Sequence, residues 1–255
     1  MLLRPHSLLW HYLWLAPHIL QALLAILMWR RRLYREFPCF FAYAVFQVFL
    51  ELTLYGLDVT PAVSSQTFWR VYLAGGVGSG LLRFAVIGEI FGHVFKPYPS
   101  LNQLGKMLFR WVGAILLILA TLAAAYTPID DAGLMSYAHR MDQAVYLIQC
   151  GLILFLFMFA AYFRLTWRHC VFGIALGFGV TACIYLATWA ISANGVLGDR
   201  NYLLDFINMA TYHGCVLIWM FYLLFPHKVR TQGSAPVPPH DVELWNRELE
   251  RLLQR

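Results

Sequence analysis

Seven apolar segments, at residues 8–29, 38–58, 67–95, 111–128, 142–163, 171–192 and 202–225, limit what this chain can fold into. Each lies near or above the ~20 residues that an α-helix needs to cross a bilayer. Lipid offers the backbone no hydrogen-bond partners, so only helices or closed barrels span it. The alternation of barrel strands is missing here. The expected fold is therefore an all-α seven-transmembrane-helix bundle at 1–225, followed by a tail at 226–255. Composition agrees, because only 13% of the 255 residues are charged, against about 25% in soluble domains.

Lys and Arg set the expected orientation. The first loop holds Arg30, Arg31, Arg32 and Arg35, and later loops on that side hold Lys96, Lys106, Arg110, Arg164 and Arg168. The opposite side has Arg4, Arg70, Arg140 and Arg200, along with Asp58, Asp130, Asp131, Asp142, Asp199 and Asp205. This pattern predicts an external N-terminus and a cytoplasmic C-terminus, with the inner membrane of a prokaryote as the expected location. The net charge of +6 then lies mostly on a rim facing anionic headgroups. A nucleic-acid partner is not expected. Residues 8–29 read as a retained helix, since Arg30 to Arg32 follow where a signal peptide would need small residues. Seven tryptophans, from Trp10 to Trp189, lie near helix ends as interfacial anchors do.

Arg83 breaks the pattern. It stands inside "GGVGSGLLRFAVIGEIFGHVF", residues 75 to 95. An arginine at mid-membrane costs at least ~2.5 kcal/mol on insertion scales, so a compensating partner is expected. Glu51 in segment two lies at similar depth, which predicts a Glu51–Arg83 ion pair. Gly76, Ser79 and Gly80 share a helical face with Arg83, a small-residue surface that admits another helix closely. Gly88 and Gly92 form a second such pair. Glu89 and His93, four apart near the arginine-rich end, are candidates for a gate or proton relay.

Other segments carry polar stripes. Segment one has His11, His18 and Gln21, with Pro17 as a potential kink; segment two has Gln47. Segment seven has Asp205, Asn208, Thr211, Tyr212 and Cys215, with His213 to one side. Segments one, two, three and seven are thus expected to line a polar interior, with apolar segment four toward lipid. The candidate core or ligand site is Glu51, Arg83, Gln47, His18, His213, Asn208 and Tyr212. His18 and His213 sit at matching depths, so haem b ligation is a minor alternative to two buried, hydrogen-bonded histidines. No other cofactor or metal is expected. The five cysteines show no CxxC spacing and read as small packing residues.

The tail divides into a linker, TQGSAPVPPH, and a short amphipathic helix, DVELWNRELERLLQR. Val242, Trp245, Leu249 and Leu252 share one face, suited to the inner leaflet, the bundle or a partner.

The layout resembles two seven-helix families. Microbial opsins need a Schiff-base lysine in helix seven; here Lys96, Lys106 and Lys228 all lie outside the segments, which argues against retinal. A shift of 132 residues matches Arg32 with Arg164, Leu33 with Leu165 and Phe40 with Phe172. That resembles the three-plus-one-plus-three arrangement of SWEET and PQ-loop sugar carriers, which implies parallel repeats. The chain has no Pro-Gln dipeptide, so the likeness is one of architecture. HExxH, GxSxG and P-loop motifs are absent, and no catalytic residue is nominated. The leading expectation is a non-enzymatic membrane sensor or accessory subunit acting through a partner. The alternative is a small-solute or proton-coupled transporter with a Glu51/Arg83 midplane site. A cofactor-binding subunit ranks third.

Overall fold

The structure, a computed structural model, describes residues 7–60, 63–95, 131–162, 169–193 and 202–225. It also describes isolated helical positions at 103, 107, 111, 114, 243, 247, 250 and 251. The described residues are helical with short turns and contain no strand. Six long helices form the body: α1 Leu8–Arg30, α2 Pro38–Val59, α3 Ser65–Val94, α4 Asp131–Tyr162, α5 His169–Ala193 and α6 Tyr202–Leu224. All six carry a stretch long and apolar enough to cross a membrane. They correspond to sequence segments one, two, three, five, six and seven. Segment four, at 111–128, lies outside the described residues apart from Trp111 and Ala114.

Local chemistry fixes the helix starts. The Ser7 hydroxyl accepts the Trp10 N–H at 3.2 Å, and Ser64 does the same for Thr67 at 3.2 Å. Each satisfies a backbone donor that the helix itself leaves orphaned. Pro38 opens α2 at a first-turn position where a missing N–H costs nothing. Between α1 and α2, Arg32 turns the chain at φ 58°, a left-handed conformation that a non-glycine residue adopts at a cost. Pro17 sits within α1 without ending it. It removes the N–H that would otherwise bond to the carbonyl of Leu13.

The six helices pack as a ring: α1 on α2, α2 on α3, α3 on α4, α4 on α5, α5 on α6 and α6 back on α1, with α3 also touching α5. Glycines set the closeness of these seams. On α3, a Cβ at Gly78 would meet the Phe46 ring at 2.7 Å, and one at Gly75 would overlap Leu50. Gly76 and Gly80 face the other way, toward Met141 and Val145 of α4 at 3.3 and 3.4 Å. The glycine run of α3 therefore serves two neighbours. Gly92 has nothing within 4 Å, so the second expected small-residue pair does not form a seam there. Another close approach lies between α5 and α6, where Gly173 and Gly177 take Tyr222 and Trp219. The Trp219 indole N–H donates to the Ile174 carbonyl at 3.3 Å in that seam.

At the arginine-rich end the interior is solid. Phe37, Phe40, Tyr43, Phe178 and Trp219 are almost completely buried and pack with Ile87 and Ile90. Phe40 meets Trp219 edge-on at 5.3 Å, and Phe178 lies 5.1 Å from both Tyr43 and Trp219. Aromatic pairs favour such offset and edge contacts. The ring's outside is apolar: Phe49 is 68% exposed, Leu81 62%, Leu147 61% and Phe221 52%. A belt of large side chains left this bare belongs against lipid, so the chain is an integral membrane protein. In the tail, Glu243 and Arg247 are helical and 3.8 Å apart at i, i+4, as a short helix requires. The apolar stripe there lies outside the described residues.

Candidate functional site

Toward the other end, the ring encloses a cavity of about 230 Å³ to which all six helices contribute. Small residues make the room. Gly76, Ser79 and Gly80 of α3 line it, as does Pro17 of α1. Polar side chains then occupy the lining at mid-height: His18 and Trp14 from α1, Gln47 and Glu51 from α2, Tyr72 and Arg83 from α3, Asp142 and Tyr146 from α4, Tyr185 from α5, and Asn208 and Tyr212 from α6.

Glu51 and Gln47 lie one helical turn apart, so their side chains meet. The Gln47 amide donates to Glu51 Oε1 at 3.0 Å, and the Trp14 indole donates to Oε2 at 3.2 Å. The Ser79 hydroxyl donates in turn to Gln47 Oε1 at 2.9 Å. These contacts form a chain from α3 through α2 to α1. Between α3 and α4 the Tyr72 hydroxyl donates to Asp142 Oδ2 at 2.6 Å. The Thr188 hydroxyl donates to Asn208 at 3.0 Å. Tyr212 donates to Gln21 at 2.6 Å. Most of the polar lining is therefore tied into the walls.

Arg83 is held instead against aromatic rings. Its guanidinium carbon lies 4.7 Å from the centre of the Tyr146 ring and 6.0 Å from that of Tyr43. Tyr146 stacks on Tyr185 at 4.2 Å, giving the cation a rigid aromatic floor. The buried Arg83 Nε has no hydrogen-bond partner. The expected ion pair with Glu51 does not form: among the described residues no carboxylate oxygen lies within 4.0 Å of Arg83. The depth argument placed both residues on one cavity, but the hydrogen bonds to Trp14 and Gln47 hold Glu51 on its own wall.

The expected core residues Glu51, Arg83, Gln47, His18, Asn208 and Tyr212 all line this space. His213 does not line it. Its ring leans on Tyr12 at 6.0 Å, and Tyr12 is 57% exposed on the outer face. His18 is buried with its ring 5.3 Å from Tyr212 and its Nδ1 unpartnered. The two imidazoles thus do not face a shared space. The cavity of 230 Å³ is also small beside the ~300–1,000 Å³ pockets that take drug-sized ligands.

Glu89 and His93 sit at the other end and do not bond through their side chains. Both oxygens of Glu89 accept backbone N–H groups of α2, from Cys39 and Phe40, each at 3.0 Å. His93 Nδ1 bonds the carbonyl of Glu89 at 2.9 Å, and its ring stacks on Phe37 at 4.8 Å. The geometry is that of a helix cap supplied by a neighbouring helix, where the N-terminal dipole favours a carboxylate. Nearby, Arg31 donates to the carbonyls of Leu224 at 3.0 Å and Leu223 at 3.5 Å, closing α1 onto the end of α6.

Asp142 and the tyrosines at 72, 146 and 185 were not foreseen as site residues. Asp142 was counted among the outer-side acids, at the first residue of segment five, because hydropathy marks where the apolar span begins and not where the helix begins. The one available signal was Tyr146 four residues after Asp142, which places both on one helical face.

No protein family, curated protein or solved structure matches this chain.

Proposed function

We propose that this chain is a membrane sensor or accessory subunit whose cavity binds a small polar solute and passes its occupancy to a protein partner. One observation carries the reading: every one of the six described helices contributes to the cavity wall. An occupant touches all of them, so a difference in its contacts between two packings of the ring biases the whole bundle. In this reading segment four completes a seven-helix bundle in a prokaryotic inner membrane, with the N-terminus external and the tail cytoplasmic. The cavity then opens toward the outside, and the tail helix at 241–255 is the contact with the partner.

The test has two parts. In a background with the native cysteines replaced, Ser79→Cys is exposed to a small hydrophilic thiol reagent; rapid labelling is expected. Thermal unfolding is then followed with a panel of small sugars, amines, carboxylates and amino acids. At least one solute is expected to raise the midpoint, with the rise lost in Asp142→Asn. A sealed Ser79→Cys together with silence across the panel removes the reading.

The carrier alternative rests on the ionisable groups inside the membrane, Glu51, Arg83 and Asp142, since such residues mark solute and proton pathways. Uptake into proteoliposomes that Glu51→Gln abolishes without loss of folding selects the carrier. No uptake, with solute-dependent partner binding that deletion of 241–255 removes, selects the sensor.

A further inference from the structure

We infer that the solute is a small zwitterion, with its oxyanion on Arg83 and its ammonium group toward Glu51 and Asp142. This rests on the solute-binding reading above and gives that solute its chemistry. Opposite charges line one cavity here without pairing. Opposite charges in a low-dielectric interior attract one another. The walls hold these apart. Glu51 is held by Trp14 and Gln47, Asp142 by Tyr72, and Arg83 by the ring face of Tyr146. What remains is a fixed separation of positive from negative around an open space. A molecule carrying the complementary separation satisfies both ends together.

The guanidinium end is specific. The Arg83 Nε is buried and unpartnered, and a guanidinium presents its N–H groups in a planar fork that matches a carboxylate or phosphate. Burial of this cation without an acid costs the protein stability unless an anion completes the site. The acidic end is broader. Glu51 has spare lone pairs beyond its two accepted bonds, and Asp142 has its second oxygen, so two carboxylates can share an ammonium with its three donors. Size narrows the class further. A volume of 230 Å³ equals that of about eight waters at ~30 Å³ each, enough for a few carbons between the two charges. Free amino acids have this chemistry, and so does the ethanolamine headgroup of a phospholipid.

Thermal unfolding of the full-length chain in phosphatidylglycerol nanodiscs tests the inference. The probes are glycine, β-alanine and γ-aminobutyrate, against propionate and n-propylamine at equal concentration. A second set of discs contains phosphatidylethanolamine. At least one free zwitterion is expected to raise the midpoint by several degrees, while propionate and propylamine leave it in place. The rise should vanish in Arg83→Met, whose unliganded midpoint should be no lower than that of the parent, because the arginine it removes has no acidic partner. Asp142→Asn serves as the second variant if Arg83→Met fails to fold. An Arg83-dependent rise with phosphatidylethanolamine, the free zwitterions being silent, supports the same chemistry and assigns it to a headgroup. Propionate or propylamine matching the zwitterions overturns the inference, as does silence of the zwitterions and of phosphatidylethanolamine alike. Stabilisation by a sugar or a simple anion, with all zwitterions silent, overturns it while leaving the solute-binding reading intact.

Discussion

Glu89 of α3 caps α2, accepting the backbone N–H of Phe40 at 3.0 Å on one carboxylate oxygen while the other takes that of Cys39. The cap comes from a different helix because Phe37, the residue before α2, has no side chain able to do it. One carboxylate therefore satisfies two orphan donors and fixes the angle between two helices.

Glu89→Ala is expected to destabilise the bundle by about 2 kcal/mol, the scale of a lost helix cap whose bonds are assisted by charge. Glu89→Gln, which keeps one acceptor oxygen, should fall between the two. Thermal unfolding in detergent reads both. Equal midpoints for Glu89→Ala and the parent would contradict the capping role.

The α5–α6 seam depends on the absence of side chains at Gly173 and Gly177. Gly177→Ala should cost about 1–3 kcal/mol, as overpacking of a close interface does, because Trp219 is held in place by its bond to Ile174. Gly92→Ala meets nothing within 4 Å and should change stability little or raise it by up to ~1 kcal/mol through helix propensity. If the two substitutions prove equal, the seam is not set by glycine.

Direct contact should dominate coupling energies around Glu51. A double-mutant cycle between Glu51 and Trp14, using Glu51→Leu and Trp14→Phe, is expected to give an interaction of at least ~0.5 kcal/mol, as contacting residues do. The cycle of Glu51 with Arg83 should be smaller, since the two are not paired. The reverse order would show that the pair forms in the membrane after all.

Cys150 of α4 and Cys183 of α5 place their sulfur atoms 3.6 Å apart. A disulfide needs ~2.05 Å, so a small approach of the two helices suffices. Copper-phenanthroline, a membrane-permeable oxidant, should remove two thiols per chain and leave Cys39, Cys170 and Cys215 reduced. Peptide mapping identifies the bond, and Cys150→Ser should prevent it. Cross-linking through Cys215 instead would mean that the α4–α5 seam is packed differently.

Long apolar runs made the helix spans legible. The expected 38–58 became Pro38–Val59, and 202–225 became Tyr202–Leu224. The failure at α4 has a physical cause. Residues 131–141 are mixed in polarity, and hydropathy does not register a helix that continues beyond the apolar span. The lining of the cavity was legible where a polar residue interrupted an apolar face, as at Gln47, Glu51 and Arg83. It was hidden where the lining was aromatic, because Tyr146 and Tyr185 look like packing residues until a cation is seen on Tyr146. The capping contacts of Glu89 were hidden for another reason. Its partners are backbone N–H groups, which carry no signature in side-chain spacing.

The packed rings of Phe40, Tyr43, Phe178 and Trp219 lie between the cavity and the arginine-rich end. A solute in the cavity reaches that end only if those rings part, which requires the helices bearing them to move. Collective motions of that kind take microseconds to milliseconds, whereas single exposed side chains turn over in picoseconds to nanoseconds. Passage from the cavity to the arginine-rich end is therefore set by the slower of these motions.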